Sequence, residues 1–194
     1  LIALSEGSIT MTADVSDFDG NAAPQASNTF IYDVQRPTLD SINPDFGSYL
    51  NATEDNSDAT ITVATTGVED AQIVTLTLDS KVYTGAVTTD SATVVIAAAS
   101  LQALTEGVHT MTADVSDAAG NPSVSTSFTV AYDSILPSIS STSADFGSYL
   151  NAAEDDSDAT ITVATSGVEN GQVVTVTLNA VTYTGAVTTD SATV

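Results

Sequence analysis

The chain has 194 residues, 42% of them apolar, and sets 25 Asp and Glu against two basic residues, Arg36 and Lys81, for a formal net charge of −23. This balance excludes partners that need a cationic surface, nucleic acid and anionic membrane among them. With no Cys and a single His, disulfides, thiol catalysis, Cys-based zinc sites and a multi-histidine metal site within one chain are excluded as well. No apolar run approaches the roughly 20 residues of a membrane-spanning helix. No signal peptide is visible, and the chain opens on Leu rather than Met, so it reads as a piece of something longer.

In chain order, the first recognisable phrase is MTADVSDFDGNAA at 11–23, an alternating segment running into an acidic, glycine-containing turn. YDVQRPTL at 32–39 reads as a linker between modules. A strand is expected near Thr38–Asn43, followed by the acidic turn NATEDNSD at 51–58. ATITVAT at 59–65 alternates with period two, placing Ile61 and Val63 on one face and Thr60 and Thr62 on the other. QIVTLTL at 72–78 turns Val74, Leu76 and Leu78 inward, and VYTGAV at 82–87 reads as its hairpin partner across Asp79-Ser80. ATVVIA at 92–97 is a further strand, and SLQALTEG at 100–107 suits one helical turn. HTMTADV at 109–115 turns Met111, Ala113 and Val115 inward, and SFTVAYD at 127–133 alternates Phe128, Val130 and Tyr132.

The phrase at 11–23 returns as MTADVSDAAGNPS at 111–123, DFGSYLNATEDNSDATITVATTGVED at 45–70 returns with few changes at 145–170, and YTGAVTTDSATV at 83–94 returns unchanged at 183–194. Every match is offset by 100 residues, too long for a solenoid unit and right for a whole domain. The reading is an all-β chain of tandem immunoglobulin-like β-sandwich modules, about seven strands each, placed head to tail. Residues 1–36 are the C-terminal strands of a preceding module, 37–136 a complete module, and 137–194 the N-terminal strands of a following one. His109 has Ile9 as its counterpart, so it is expected to pack rather than to catalyse.

Acidic residues gather in turns that recur once per module: Glu54, Asp55 and Asp58; Glu69 and Asp70; Asp117 and Asn121; and the linker Asp33 or Asp133. Their counterparts are Glu154, Asp155, Asp156 and Asp158 in the third segment, and Asp17, Asp19 and Asn21 in the first. None is an EF-hand, since the Gly offset is wrong and no Glu closes the loop. Two readings stand: a solvated acidic surface suited to salty water, and Ca²⁺ ligation, a hard cation taking oxygen donors. In immunoglobulin strand order the 51–58 turn lies where the last strand leaves, while the 67–72 and 116–121 turns lie where the chain comes in. Head-to-tail stacking would then mass carboxylates at each junction, where they repel unless a cation bridges them. The candidate ligands are Asp17, Asp19, Asn21, Asp33, Glu54, Asp55, Asp58, Glu69, Asp70, Asp117, Asn121, Asp133, Glu154, Asp155 and Asp158.

The combination of the Asn-Ala-Ala-Glu turn, TGVED, YTGAV, LQALTEG and TMTADVSDAAGNPS resembles the bacterial Ig-like repeats of giant secreted RTX-type and biofilm-associated adhesins. The resemblance covers 37–136 and both flanking segments. It implies a non-catalytic extender at the cell surface, rigidified by Ca²⁺, with Glu54 and Glu154, Asp117 and Asn121, and Asp33 and Asp133 as ligands. The implied partners are neighbouring Ig-like modules, with no small-molecule substrate and no membrane insertion. The acidic EDNSD and EDDSD stretches and the near absence of Lys depart from that pattern. An alternative is a filament subunit whose partial end modules complete one another by β-strand addition between chains. A third is a glycan- or ice-binding module using Thr-rich outer faces.

Overall fold

A computed structural model describes residues 4–194. The chain divides into two compact units, one through Asp133 and one from Ser134. The first unit begins with a hairpin, β1 (Gly7–Ala13) paired antiparallel with β2 (Ala26–Tyr32). Eight strands follow: β3 (Thr38–Pro44), β4 (Tyr49–Asn51), β5 (Ala59–Thr66), β6 (Ile73–Leu78), β7 (Lys81–Ala86), β8 (Ser91–Ile96), β9 (Gly107–Asp114) and β10 (Thr126–Asp133). A 3₁₀ turn at Glu54–Asn56 precedes β5, and a one-turn helix α1 (Ala98–Leu101) follows β8. Among the described residues no helix is long and apolar enough to cross a membrane.

The eight strands form two sheets, β3-β5-β8 and β4-β10-β9-β6-β7. All pairs are antiparallel except the short β4, which runs parallel to β10. With β3, β5 and β8 as strands A, B and E and β10, β9, β6 and β7 as G, F, C and C′, this is the immunoglobulin order. The strand expectations from the sequence hold to within about two residues, as period-two alternation allows. The module has eight strands rather than seven because Tyr49–Asn51 also pairs. Three residues carry no alternation to read, and their partner lies far downstream, Tyr132 opposite Leu50. The helical turn begins at Ala98, two residues before the expected segment.

The inward faces make the core. Ile61, Val63, Val74, Leu76, Leu78, Met111, Ala113, Val115, Val130 and Tyr132 are buried together with Leu50, Val94, Ile96 and Leu101. Burying a Leu, Ile, Val or Met side chain contributes about 1.5–3 kcal/mol relative to leaving it exposed, so a core with no Trp still closes a module of this length. Two local devices keep the ladders in register. Asp79 and Ser80 both take positive φ, 48° and 65°, forming the tight turn that joins β6 to β7. Gly85 lies where β7 passes β8 so closely that a Cβ would run into the Thr93 carbonyl.

The second unit repeats the start of this plan. β11 (Ser138–Ala144), β12 (Ile161–Ser166), β13 (Val173–Leu178), β14 (Val181–Thr188) and β15 (Ser191–Thr193) join in the order β11-β12-β15-β14-β13. Without counterparts of β9 and β10 packed on them, apolar positions stay open: Leu178 is 59% exposed where Leu78 is 2% exposed. The hairpin β1–β2 shows the complementary face, with Met11 at 57% exposure against 0% for Met111.

Candidate functional site

The acidic turns of the module sort to its two ends. At the leading end, where Thr38 of β3 pairs with Thr66 of β5, the 67–72 and 116–121 turns meet the linker. Glu69 accepts the Ala118 amide through Oε2 at 2.8 Å, and Asn121 Nδ2 donates to the Asp33 carbonyl at 3.2 Å. Asp33 Oδ1 in turn accepts the Gln35 amide at 3.0 Å. These bonds tie linker, B–C turn and F–G turn together. Beside them opens a cleft of about 480 Å³ whose lining includes Glu6, Asp33, Arg36, Glu69 and Asp90. Four carboxylates thus share one cleft with one guanidinium, an arrangement that concentrates negative potential.

Asp117 itself is buried. Its Oδ1 accepts the Asn121 amide and its Oδ2 the Asn121 Nδ2, both at 2.8 Å. Desolvation pushes the carboxyl up, but the Asn121 side-chain and backbone donors, with those of Gly120 and Ala119, outweigh it and hold the group below its ordinary value. The turn at Asp17 repeats the geometry, with Asn21 donating from its backbone at 2.7 Å and its side chain at 2.8 Å. There the Asn21 side chain is the main cause that holds Asp17 low. Asp19 is exposed at the tip of that turn. Asp70 Oδ1 accepts the Thr89 amide at 2.8 Å, a bond that Asn170 reproduces with Thr189.

At the trailing end, where Asp133 pairs with Asn51, each carboxylate of the 51–58 turn has a protein donor. Glu54 Oε2 accepts the Asn51 amide at 3.1 Å, and Asn51 Oδ1 accepts the Thr53 and Glu54 amides. Asp55, only 6% exposed, accepts the Tyr132 hydroxyl at 2.8 Å. Asp58 Oδ1 accepts the Ala98 amide at 2.9 Å, satisfying a free N–H of the first turn of α1. In the second unit Glu154 bonds the Asn151 amide in the same way, and the Asp155 amide donates to the Asn151 carbonyl. A cavity of about 190 Å³ is lined by Asp45, Glu54 and Asp58, and its counterpart of about 230 Å³ by Asp145, Glu154 and Asp158.

The structure therefore brings Asp33, Glu69, Asp117 and Asn121 to one end and Glu54, Asp55, Asp58 and Asp133 to the other. Glu6, Asp45, Asp90 and Asp145 were missed from sequence because they stand singly between strands rather than in acidic runs. The period was the usable signal: Asp45 and Asp90 recur unchanged as Asp145 and Asp190. The four carboxylates of the leading cleft offer the oxygen ligands that a hard cation takes. Yet among the described residues no group of three or more His, Asp or Glu side chains is gathered closely enough to hold a metal ion. His109 is 7% exposed, bonded on both ring nitrogens, and stands opposite Val130 in the ladder, the packed position that Ile9 indicated.

No protein-family model matches the chain, and no curated protein matches it. Solved structures do. A chain from a 1.5-MDa bacterial ice-binding adhesin is 20% identical, with 97% of this chain and 63% of that one covered and a TM-score of 0.48. A Ca²⁺-stabilized adhesin of an ice-binding Antarctic bacterium is 21% identical, with 97% and 48% covered and a TM-score of 0.41. A bacterial immunoglobulin-like domain from the M. primoryensis ice-binding adhesin is 26% identical, with 50% and 95% covered and a TM-score of 0.35. This chain thus spans 63% and 48% of the first two in length. These three solved chains come from bacterial adhesins, one of them a bacterial immunoglobulin-like domain.

Proposed function

We propose that this chain is a run of non-catalytic spacer modules in a long secreted adhesin or fibre at the cell surface, stiffened by Ca²⁺ where one module follows another. The observation that carries the reading is the joint itself. The sequence repeats with a period of 100 residues, and the linker between hairpin and module is bonded through Asp33 to Asn121 beside a carboxylate-lined cleft. A spacer needs a joint with a defined direction, and the bonded linker beside the cleft supports that reading. Asp33, Glu69, Asp90 and Glu6 are the side chains that would converge to hold the ion. Bound Ca²⁺ would offset their repulsion and fix the linker. Amide exchange tests this: residues 33–37 and 117–121 should exchange more slowly in Ca²⁺ than in EGTA, and equal rates would overturn the stiffened joint.

A second reading is favoured by the complementary exposures of Met11 and Leu178. In the complete module Leu78 stands opposite Met111. In a filament, the β1–β2 hairpin of one copy would place Met11 opposite Leu178 of another by strand addition. Sedimentation of the 194-residue chain over a range of concentrations separates the readings. Concentration-dependent oligomers support the filament, and a monomer throughout supports the spacer.

A further inference from the structure

The most unusual buried group in the module is its single histidine. We infer that His109 is a proton-dependent clasp, holding the trailing end of the module together only while both of its ring nitrogens carry protons. Its two partners are both acceptors. Nδ1 lies 2.8 Å from an Asp79 carboxylate oxygen, and Nε2 lies 2.7 Å from the Thr105 carbonyl. A neutral imidazole has one N–H and can serve only one of them; the imidazolium serves both. The clasp joins three parts of the chain: the β6–β7 turn that carries Asp79, the connection from α1 that carries Thr105, and β9, which carries the ring.

The surroundings favour the charge. From β10 the residue opposite is the uncharged Val130, and from β6 the nearest rung of the ladder is Leu78 with Met111. The ionisable groups on these elements are Asp79 in the turn, Lys81 and Tyr83 on β7, Glu106 just before β9, Asp114 at the far end of β9, and Tyr132 and Asp133 at the end of β10. The 3₁₀ turn contributes Asp55, which is held by the Tyr132 hydroxyl of β10. Burial works against the imidazolium and is the largest single influence, but the Thr105 carbonyl and the Asp79 carboxylate together outweigh it and raise the ring above its ordinary value. A raised folded-state value has one sign. The stabilisation is complete below the unfolded value of about 6.5 and is lost as pH rises through the folded value. Asp79 is 45% exposed, so its attraction is screened and the effect is modest. The preceding segment has Ile9 at the equivalent position, so the clasp is a property of some modules and not of the fold.

The test uses the whole 194-residue chain, whose single histidine gives unambiguous ring signals. Nitrogen chemical shifts of His109 should show a ring that is doubly protonated at low pH and titrates with a midpoint above about 6.5. Thermal unfolding in EGTA of the wild type and of His109→Ile, the residue of the preceding segment, supplies the energetic readout. Relative to the variant, the wild type should lose about 2–5 °C of Tm between pH about 5.5 and 8.5. His109→Gln, which can donate but not titrate, should flatten the dependence in the same way. A midpoint at or below about 6.5, or an equal pH dependence in wild type and both variants, would overturn the clasp.

Discussion

The two ends of the module are equally acidic in sequence and opposite in structure. At the trailing end the carboxylates of Glu54, Asp55 and Asp58 accept the Asn51 amide, the Tyr132 hydroxyl and the Ala98 amide. They serve as internal anchors for the turn, the last strand and the helix start. At the leading end Glu69 and Asp33 each anchor one amide, and together with Glu6 and Asp90 they line an open cleft whose cationic side chain is Arg36. The lesson is that acidic content does not separate a ligand from an anchor. What separates the ends is how many carboxylates share one open space: Glu6, Asp33, Glu69 and Asp90 line the leading cleft of about 480 Å³, and Asp45, Glu54 and Asp58 the trailing cavity of about 190 Å³.

The sharpest way to break this comparison is to remove an anchor. Tyr132→Phe leaves the buried Asp55 carboxylate without its hydroxyl donor and should cost about 1.5–3 kcal/mol of unfolding free energy. Chemical denaturation reads this, and the loss should be the same in Ca²⁺ and in EGTA. Asp58→Ala removes the acceptor for the first N–H of α1 and should cost about 0.5–2 kcal/mol, again without regard to Ca²⁺. If either loss disappeared in Ca²⁺, the trailing end would be a metal site as well. Glu69→Gln at the leading end should change stability in EGTA by less than about 1 kcal/mol, because an amide oxygen can still accept the Ala118 N–H. It should, however, reduce the gain on adding Ca²⁺, and a full gain in the variant would remove Glu69 from the site. The smallest effect is expected at Thr65, whose buried hydroxyl has no hydrogen-bond partner, as in its counterpart Thr165. Thr65→Val should be neutral or stabilising by up to about 1 kcal/mol, measured by thermal unfolding.

The fold was largely legible because its code is local. Alternation placed Val74, Leu76, Leu78, Met111 and Ala113 inside, and all are buried. The 100-residue period gave the module, and immunoglobulin order put the 51–58 turn and the 116–121 turn at opposite ends. The parts that escaped are those set by contacts across the chain. Tyr49–Asn51 pairs only because β10 passes beside it, and three residues show no period. Asp55 reads in sequence like any other acid of its run, yet the hydroxyl of Tyr132, 77 residues away, turns it into a buried anchor. Asp117 reads as an open turn acid, but both its oxygens are taken by Asn121. Asp45 and Asp90 looked like isolated polar residues, and only the folded ends show them lining cavities. His109 was legible in its packing, through Ile9, and illegible in its two acceptors.

The central claim is that the leading-end carboxylates are completed by Ca²⁺. Thermal unfolding of the 194-residue chain in excess Ca²⁺ and in EGTA tests it most directly. A ligand held only by the folded state raises Tm by linkage, and at saturating concentration the rise should be about 5 °C or more. Glu69→Gln and Asp33→Asn should shrink it, and Asp58→Ala should leave it intact. Superimposable melting curves in Ca²⁺ and EGTA would contradict the account and leave the carboxylates as a solvated acidic surface.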